Sequence, residues 1–285
     1  MKVLVTTDGS ERSLSALPHA AAFARATGWP LTLVRVMDPL LDLGSHFALH
    51  VDEAIEKATA AWQLELDASL EGLGVQSDAI VVLKVRGEDT WDTVIRVAAE
   101  QGAALIVMDS RGAGAVRHAL LGSVAMGIVG HTNLPVMVIG PAVEPPSGRP
   151  GYRIVATTDG SPASLAVVRA LSPILQSGSI DVTLLRLCWP GTADHSAADC
   201  ASQLRTFRES LPHSERVTEE VREMALVNGA APAIITVAQE LEASAIAMAT
   251  HGHSAAYHLF GGSTALGALS QSPLPVILAR SVKPA

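Results

Sequence analysis

Two glycine-rich segments of this chain have the residue types and the spacing that could bind a phosphate group. In the first segment, nine residues separate Gly112 from Gly122, and Ser123 follows directly. Glycine lets backbone N–H groups approach a phosphate without an intervening side chain. A serine hydroxyl and the first N–H groups of a following helix add donors and a favourable dipole. The second segment repeats the spacing in Gly252, Gly262 and Ser263. Because glycine-rich turns are often only tight strand-to-helix connections, the spacing alone leaves a purely structural role open.

The repeated spacing belongs to an internal duplication of the chain. The segment Thr6–Ser10 recurs, residue for residue, as Thr157–Ser161, 151 positions later. The segment Leu134–Val136 recurs as Leu274–Val276, 140 positions later. The second copy is therefore shorter in its middle, where a polar helix and loops tolerate changes in length.

A proline- and glycine-rich segment separates the two copies. Residues 142–151 read AVEPPSGRPG, which is typical of a linker. We therefore predict a first domain at 1–141, a linker at 142–151 and a second domain at 152–285.

Short apolar runs alternate with helical patterns within each copy, which indicates parallel β-α-β units. The strands of the first copy are predicted at Lys2–Thr7, Leu31–Met37, Ala79–Val85, Ala104–Met108 and Val136–Gly140. One helix is predicted between Ser10, as its N-cap, and Gly28. The predicted fold class is α/β, with two tandem doubly wound domains, each a five-stranded parallel sheet with helices on both faces.

Ligands of such sheets bind at the carboxyl ends of the strands, near the switch in strand order. Asp8, Val36 and Met108 all fall at the carboxyl ends of predicted strands. We therefore expect these three residues to lie near one another at the ligand site.

Composition excludes several classes of protein. A net charge of -8 and a pI of about 5.6 argue against a general nucleic-acid binder, which needs a basic face. The two cysteines, Cys188 and Cys200, have no CxxC spacing, so we expect neither a disulfide framework nor a zinc site. The simplest inference from so few cysteines is a reducing compartment. No apolar run approaches the length of a membrane span, and Asp8 interrupts the first apolar stretch. We expect a cytoplasmic protein with no membrane partner.

Together these motifs resemble the universal stress protein family. Its ATP-binding members carry a glycine, two residues, a second glycine, nine residues, and a glycine followed by serine or threonine. The segments from Gly112 to Ser123 and from Gly252 to Ser263 match the later part of that pattern. The Thr-Thr-Asp-Gly-Ser start and the Leu-Pro-Val before the last strand are also similar to the family. Each copy resembles the family over most of its length, so the two matches together cover nearly the whole chain. It implies a universal-stress/adenine-nucleotide alpha-hydrolase-like fold, with ATP, with or without Mg²⁺, as the ligand.

The resemblance also implies a set of ligand contacts. Asp8 would contact the adenine or ribose side, Val36 would line the adenine pocket, and Met108 and Arg111 would flank the ribose. The phosphates would be held by Gly112, Gly122, Ser123 and Val124. The matching positions of the second copy are Asp159, Leu187, Met248, His251, Gly252, Gly262, Ser263 and Thr264.

Both copies depart from the family pattern at its first glycine, where Asp109 and Ala249 stand. A carboxylate beside a polyphosphate costs Coulomb energy, on the order of 1 kcal/mol or more near a surface. Asp109 could instead hydrogen-bond a ribose hydroxyl or pair with Arg111. Because alanine adds no charge, we hypothesise that the second copy is the better ATP site.

Other roles of the same residues stay open. Asp8 and Asp159 could each cap the following helix. The cluster of His251, His253 and His258 has no acidic or cysteine partner at clear spacing, so a metal site is not expected. The sequence has no GxSxG elbow, no HExxH and no Walker lysine, so we expect no enzyme, with slow ATP hydrolysis left open.

The last strand of each copy, Val136–Gly140 and Val276–Ala279, is short and apolar, and would be an aggregation hazard at an exposed edge. We predict that the two strands pair antiparallel within the chain, as an intramolecular pseudo-dimer; a homodimer of whole chains stays open.

The expected function is a stress-response sensor or regulator that binds an adenine nucleotide and acts on an unknown protein partner. The alternatives are a scaffold or binder of another small molecule, and a weak ATPase.

Overall fold

The computed structural model describes residues 1–42, 51–112, 121–161, 163–188, 196–223, 229–250 and 263–280. The strands of the first copy are β1 (Lys2–Thr7), β2 (Leu31–Met37), β3 (Ser77–Leu83), β4 (Ala103–Asp109) and β5 (Val136–Ile139). Those of the second copy are β6 (Tyr152–Thr157), β7 (Ile180–Cys188), β8 (Val217–Glu223), β9 (Ala245–Ala249) and β10 (Val276–Ala279). Helices alternate with the strands, as the sequence predicts for an α/β protein.

The helices of the first copy are α1 (Glu11–Leu14), α2 (Ala16–Thr27), α3 (Pro39–Asp42), α4 (Val51–Leu70), α5 (Thr90–Glu100) and α6 (Ser123–His131). Those of the second copy are α7 (Leu165–Leu175), α8 (Ala197–Glu209), α9 (Ala230–Glu240) and α10 (Ser263–Gln271), with a 3₁₀ turn at Ser214–Arg216. Among the described helices, none is both long enough and apolar enough to cross a membrane.

The chain divides into two compact units, residues 1–25 with 29–128, and residues 26–28 with 129–285. The division places β5 in the second unit, where β5 pairs with β10. The predicted linker at 142–151 stays a prediction, since the compact units follow strand pairing rather than the sequence repeat.

In the first unit, β1 lies between β2 and β4, and all three strands run parallel. The strand β3 pairs in parallel with the other side of β2. The apolar residues Val3, Leu4 and Val5 of β1 are completely buried. A central parallel strand is covered on both faces, so its sequence is a continuous apolar run rather than an alternating one.

In the second unit, five parallel strands follow the order β8-β7-β6-β9-β10. The strand β5 pairs antiparallel with β10, and Met137 lies opposite Ile277. All residues of both strands are buried. The predicted antiparallel pairing of the two last strands is confirmed.

The helix predicted between Ser10 and Gly28 is divided into α1 and α2 at Ser15. Pro18 explains the break, because a proline has no N–H to donate to the carbonyl four residues earlier, which is that of Leu14. Pro18 is tolerated in the first turn of α2, where the N–H groups have no helical partner.

The two cysteines correct an expectation from the sequence. Cys188, at the end of β7, and Cys200, in the first turn of α8, form a disulfide. The expectation that the cysteines form no disulfide was wrong. Their spacing gave no signal, because the contact arises from the packing of α8 against the end of β7.

The close approach of α10 to the end of β5 yields a stability prediction. A Cβ at position 140 would collide with the backbone carbonyl of Leu269, which cannot move away cheaply. Gly140→Ala is expected to lower the free energy of unfolding by about 1–3 kcal/mol, measured by chemical denaturation. The control is Gly130→Ala in α6, where a Cβ meets no atom within 4 Å; it is expected to raise stability by up to about 1 kcal/mol. Equal effects of the two substitutions would contradict the packing described.

Candidate functional site

A cleft of about 450 Å³ opens at the carboxyl ends of the strands in the first unit. Its walls come from β1, β2 and β4, from α5, and from the start of α6. Since β1 has β2 on one side and β4 on the other, this is the place where strand order switches. Ligands of open parallel sheets bind at such a place.

All eight residues predicted as ligand contacts in the first copy line this cleft. They are Asp8, Val36, Met108, Arg111, Gly112, Gly122, Ser123 and Val124. The structure brings these residues together from separate parts of the chain. Their contact with a ligand stays a prediction.

Asp8 is held in a turn that directly follows β1. Its Oδ1 accepts hydrogen bonds from the Ser10 backbone N–H at 3.0 Å and from the Ser10 hydroxyl at 2.6 Å. The Ser10 side chain in turn accepts from the Ser13 N–H and caps α1. The hydroxyls of Thr7 and Ser13 share a buried hydrogen bond of 2.7 Å, and Thr7 Oγ1 accepts from the Gly9 N–H. The helix cap is therefore Ser10, and Asp8 orients that cap.

The second copy repeats the main hydrogen bonds of this turn. Asp159 Oδ1 accepts from the Ser161 N–H at 2.9 Å and from the Ser161 hydroxyl at 2.6 Å. The hydroxyls of Thr158 and Ser164 are 2.7 Å apart. The duplication seen in the sequence thus extends to the hydrogen bonds that position the acid.

Gly112 allows the glycine loop to approach the Asp8 carboxylate. A Cβ at position 112 would lie 2.7 Å from Asp8 Oδ2, closer than real Cβ atoms approach an oxygen. The backbone N–H of Gly122 donates to the carbonyl of Ser110 at 2.8 Å, which connects the two ends of the loop. Asp8 and the start of α6 are therefore held on the same cleft.

Asp109 is buried, with 9% of its surface exposed, and three neighbouring donors partly compensate its charge. Arg12 Nε and the Ser15 hydroxyl each donate to the carboxylate at 3.3 Å. The backbone N–H of Arg111 donates at 2.8 Å. Burial nevertheless raises the pKa of Asp109 above its usual range, against the opposing effect of these donors. The ion pair is with Arg12, rather than with the Arg111 side chain that the sequence suggested as one option.

Several residues of the site escaped the sequence analysis. Arg12 and Ser15 reach Asp109 only because α1 packs beside β4. Ser110 lines the cleft, and its buried hydroxyl has no hydrogen-bond partner in the described part of the chain; the same holds for Arg111 Nε. Ser13 also lines the cleft. Its recurrence as Ser164, at the same offset as the Asp-Gly-Ser turn, was a signal in the sequence that could have identified it.

An arginine lies against the glycine turn of each copy. Arg35, on β2, contacts Gly9, and its guanidinium lies 3.5 Å from the ring centroid of Trp62. Arg186, on β7, contacts Gly160 in the same way. The two turns are alike, while the partners of the two arginines differ.

The structure describes part of the predicted site of the second copy. Asp159 follows β6, Leu187 lies on β7, Met248 lies on β9, and Thr264 lies in the first turn of α10. Since β6 pairs with both β7 and β9, these residues occupy places equivalent to those of the first copy. The predicted contacts His251, Gly252 and Gly262 lie outside the described residues, as do His253, His258 and the side chain of Ser263.

Fold and site together define a class: a duplicated α/β protein with a cleft at the switch point of a parallel sheet. The sequence model of the universal stress protein family matches residues 1–140 and again residues 152–280. The chain belongs to the universal stress protein family.

Relatives and solved structures agree with this assignment. A universal stress protein of Mycobacterium tuberculosis is 26% identical over 311 residues, covering 98% of this chain and 94% of the relative. One from Mycolicibacterium smegmatis is 24% identical over 295 residues, covering 98% and 96%. The crystal structure of a universal stress protein from Archaeoglobus fulgidus has a TM-score of 0.64 at 21% identity, covering 98% of this chain and 96% of that one. At that identity the solved structure supports the fold alone.

The duplicated turn yields a matched pair of substitutions. Ser13→Ala and Ser164→Ala each remove a hydroxyl that is bonded to a buried threonine. Each is expected to lower the free energy of unfolding by about 1–2 kcal/mol in chemical denaturation. Ser69→Ala, which removes an exposed hydroxyl on α4, is the control and is expected to change stability by less than about 0.5 kcal/mol. A neutral effect of both core substitutions would contradict the role given to this network.

Proposed function

We propose that this chain is a stress-response regulator that binds an adenine nucleotide, with ATP, alone or with Mg²⁺, as the ligand. The main support for the proposal is the convergence on one cleft in the first unit of the eight residues that the family resemblance implied as ligand contacts. A volume of about 450 Å³ falls within the range usual for small-molecule sites.

The cleft combines the two kinds of surface that a nucleotide needs. Val34, Val36, Val94 and Met108 supply apolar side chains suited to a purine ring. Asp8 supplies a carboxylate suited to accept hydrogen bonds from a ribose or from adenine. The nucleoside is therefore assigned to the ends of β1, β2 and β4.

The phosphates are assigned to the glycine loop and to the start of α6. Gly122 and Ser123 stand where the helix begins, so its first N–H groups and its dipole favour an anion. The Ser110 hydroxyl and Arg111 Nε, which have no hydrogen-bond partner in the described residues, are available donors. A cationic guanidinium in a predominantly acidic protein is well suited to a phosphate.

We further propose that the second copy is the tighter of two sites. Ala249 adds no charge where the first copy has Asp109. Arg12 partly offsets the charge of Asp109, so we expect the difference between the sites to be modest rather than absolute. A regulator also needs a ligand that distinguishes two states of the protein, and we assign the readout to a protein partner.

A binder of another small molecule is the second candidate, because a carboxylate lines the cleft beside the predicted phosphate loop. A weak ATPase remains the third candidate. Metal-dependent release of phosphate above the uncatalysed rate would favour the ATPase.

Calorimetric titration of nucleotide-free protein with ATP tests the proposal. The full chain is expected to show two binding events. Gly112→Ala would displace the Asp8 carboxylate and is expected to weaken the weaker event about tenfold, leaving the tighter event unchanged. Gly130→Ala is the control, since its Cβ meets no atom within 4 Å. Loss of the tighter event instead would show that the first copy, not the second, binds ATP more tightly. No heat from any form of the protein would overturn nucleotide binding.

The raised pKa of Asp109 yields a pH prediction. Above that pKa the carboxylate is ionised and repels phosphate; below it the repulsion disappears. Asp109→Asn is therefore expected to tighten the weaker ATP event by about 1 kcal/mol, or roughly fivefold, at neutral pH. The gain should shrink as the pH falls through the pKa of Asp109. A gain independent of pH, or a loss of affinity at neutral pH, would contradict the electrostatic explanation.

A further inference from the structure

The disulfide of the second unit connects the end of a central strand to a covering helix. Cys188 is the last residue of β7 and follows Leu187, a predicted contact of the second ligand site. Cys200 lies in the first turn of α8. Both residues are buried, with 2% and 1% of their surfaces exposed. The bond therefore restrains α8 next to the edge of the sheet at which the ligand site is predicted.

The first copy has a non-covalent contact at the corresponding junction. Met37, the last residue of β2, lies 151 positions before Cys188. The hydroxyl of Thr59, on α4, lies 4.0 Å from the Met37 sulfur. Because both cysteines of the chain are in the second copy, only that copy can make its strand–helix junction depend on thiol–disulfide exchange.

A continuous set of contacts leads from the disulfide to the Asp159 turn. Gln203 lies one helical turn beyond Cys200 on α8, and its Oε1 accepts a hydrogen bond from Arg186 Nη1. A Cβ at Gly160 would lie 2.6 Å from the same Gln203 oxygen. The helix that carries the disulfide thus contacts the turn that positions Asp159.

Arg186 makes this contact sensitive to small displacements. Only 4% of its surface is exposed, and burial lowers the pKa of its guanidinium while Asp159 opposes that effect. A buried cation depends on its hydrogen-bond partners, since losing one leaves the desolvation cost uncompensated. A shift of α8 that separates Gln203 from Arg186 would therefore disturb the Asp-Gly-Ser turn.

We propose that Cys188 and Cys200 are a reversible thiol–disulfide pair whose redox state sets the order of the Asp159 turn and the ligand affinity of the second copy. The affinity part rests on the proposed nucleotide binding; the effect on the turn does not. The oxidised form holds α8 in place and binds more tightly. By linkage, bound ligand makes the disulfide harder to reduce by the same factor.

The reduction is an ordinary two-electron exchange with a dithiol. A thiolate of the dithiol attacks one cysteine sulfur, the S–S bond breaks, and the other cysteine leaves as a thiolate that takes up a proton. The second thiolate of the dithiol then attacks the dithiol sulfur of the mixed disulfide, which expels the remaining cysteine as a thiolate that also takes up a proton. The products are two cysteine thiols and one oxidised, cyclic dithiol. Oxidised glutathione reverses the reaction and is reduced to two molecules of glutathione.

Hydrogen exchange on the full-length protein tests the effect on the turn without any nucleotide. Protein oxidised with oxidised glutathione is compared with protein reduced by dithiothreitol, and thiol labelling verifies each state. Reduction is expected to speed exchange in the peptide that contains Gly160 and Ser161. The peptide that contains Gly9 and Ser10, in the copy without cysteines, is the internal control and is expected to stay unchanged. Equal exchange at Ser161 in both states would overturn the proposal, as would failure of the cysteines to oxidise.

ATP titration of the Gly112→Ala protein, whose first site is weakened, tests the effect on affinity. Reduction is expected to weaken the remaining event about fivefold or more. Cys200→Ser is expected to bind like the reduced protein in both redox conditions. Unchanged affinity on reduction would overturn the coupling to the ligand. If reduction speeds exchange at Ser161 while neither state binds ATP, the redox effect on the turn stands and the proposed nucleotide binding fails.

Discussion

The parallel pairing of β1 with β2 on one side and with β4 on the other is the constraint on which the first cleft depends. Parallel strands place their carboxyl ends at one edge of the sheet, so Asp8 and Asp109, about a hundred positions apart in the chain, come to the same edge. The strands themselves are held by buried apolar side chains, and the polar residues follow where the strands end. The packed strands therefore form the rigid frame, and the short turns that follow them carry the polar residues of the cleft.

The two copies show which parts of that arrangement tolerate divergence. Four hydrogen bonds of the Asp-Gly-Ser turn recur in both copies with lengths that agree to within 0.1 Å. The arginine that contacts the turn has different partners in the two copies: Arg35 lies over the ring of Trp62, while Arg186 donates a hydrogen bond to Gln203. The same turn, which positions one aspartate, is thus compatible with different side chains packed against its arginine.

The sequence predicted β1, β2 and β10 with correct bounds, because each is a buried apolar run. The strand β3 begins two residues earlier than predicted, at Ser77, since it is half-exposed and starts with polar residues. The Arg12–Asp109 pair and the disulfide could not be predicted, because both arise where a helix packs against a distant strand end. Motifs indicate which residues gather at an edge, while the partners of a buried charge depend on packing.

Binding of an adenine nucleotide at the carboxyl edge of the strands is tested most directly on the purified protein. Freshly purified full-length chain is denatured, the released small molecules are separated by liquid chromatography, and the stripped, refolded protein is then offered ATP in equilibrium dialysis. If the nucleotide binds there, adenine nucleotide is released, or ATP is retained by the stripped protein, at no more than two molecules per chain. No released nucleotide together with no retention at millimolar ATP would contradict it.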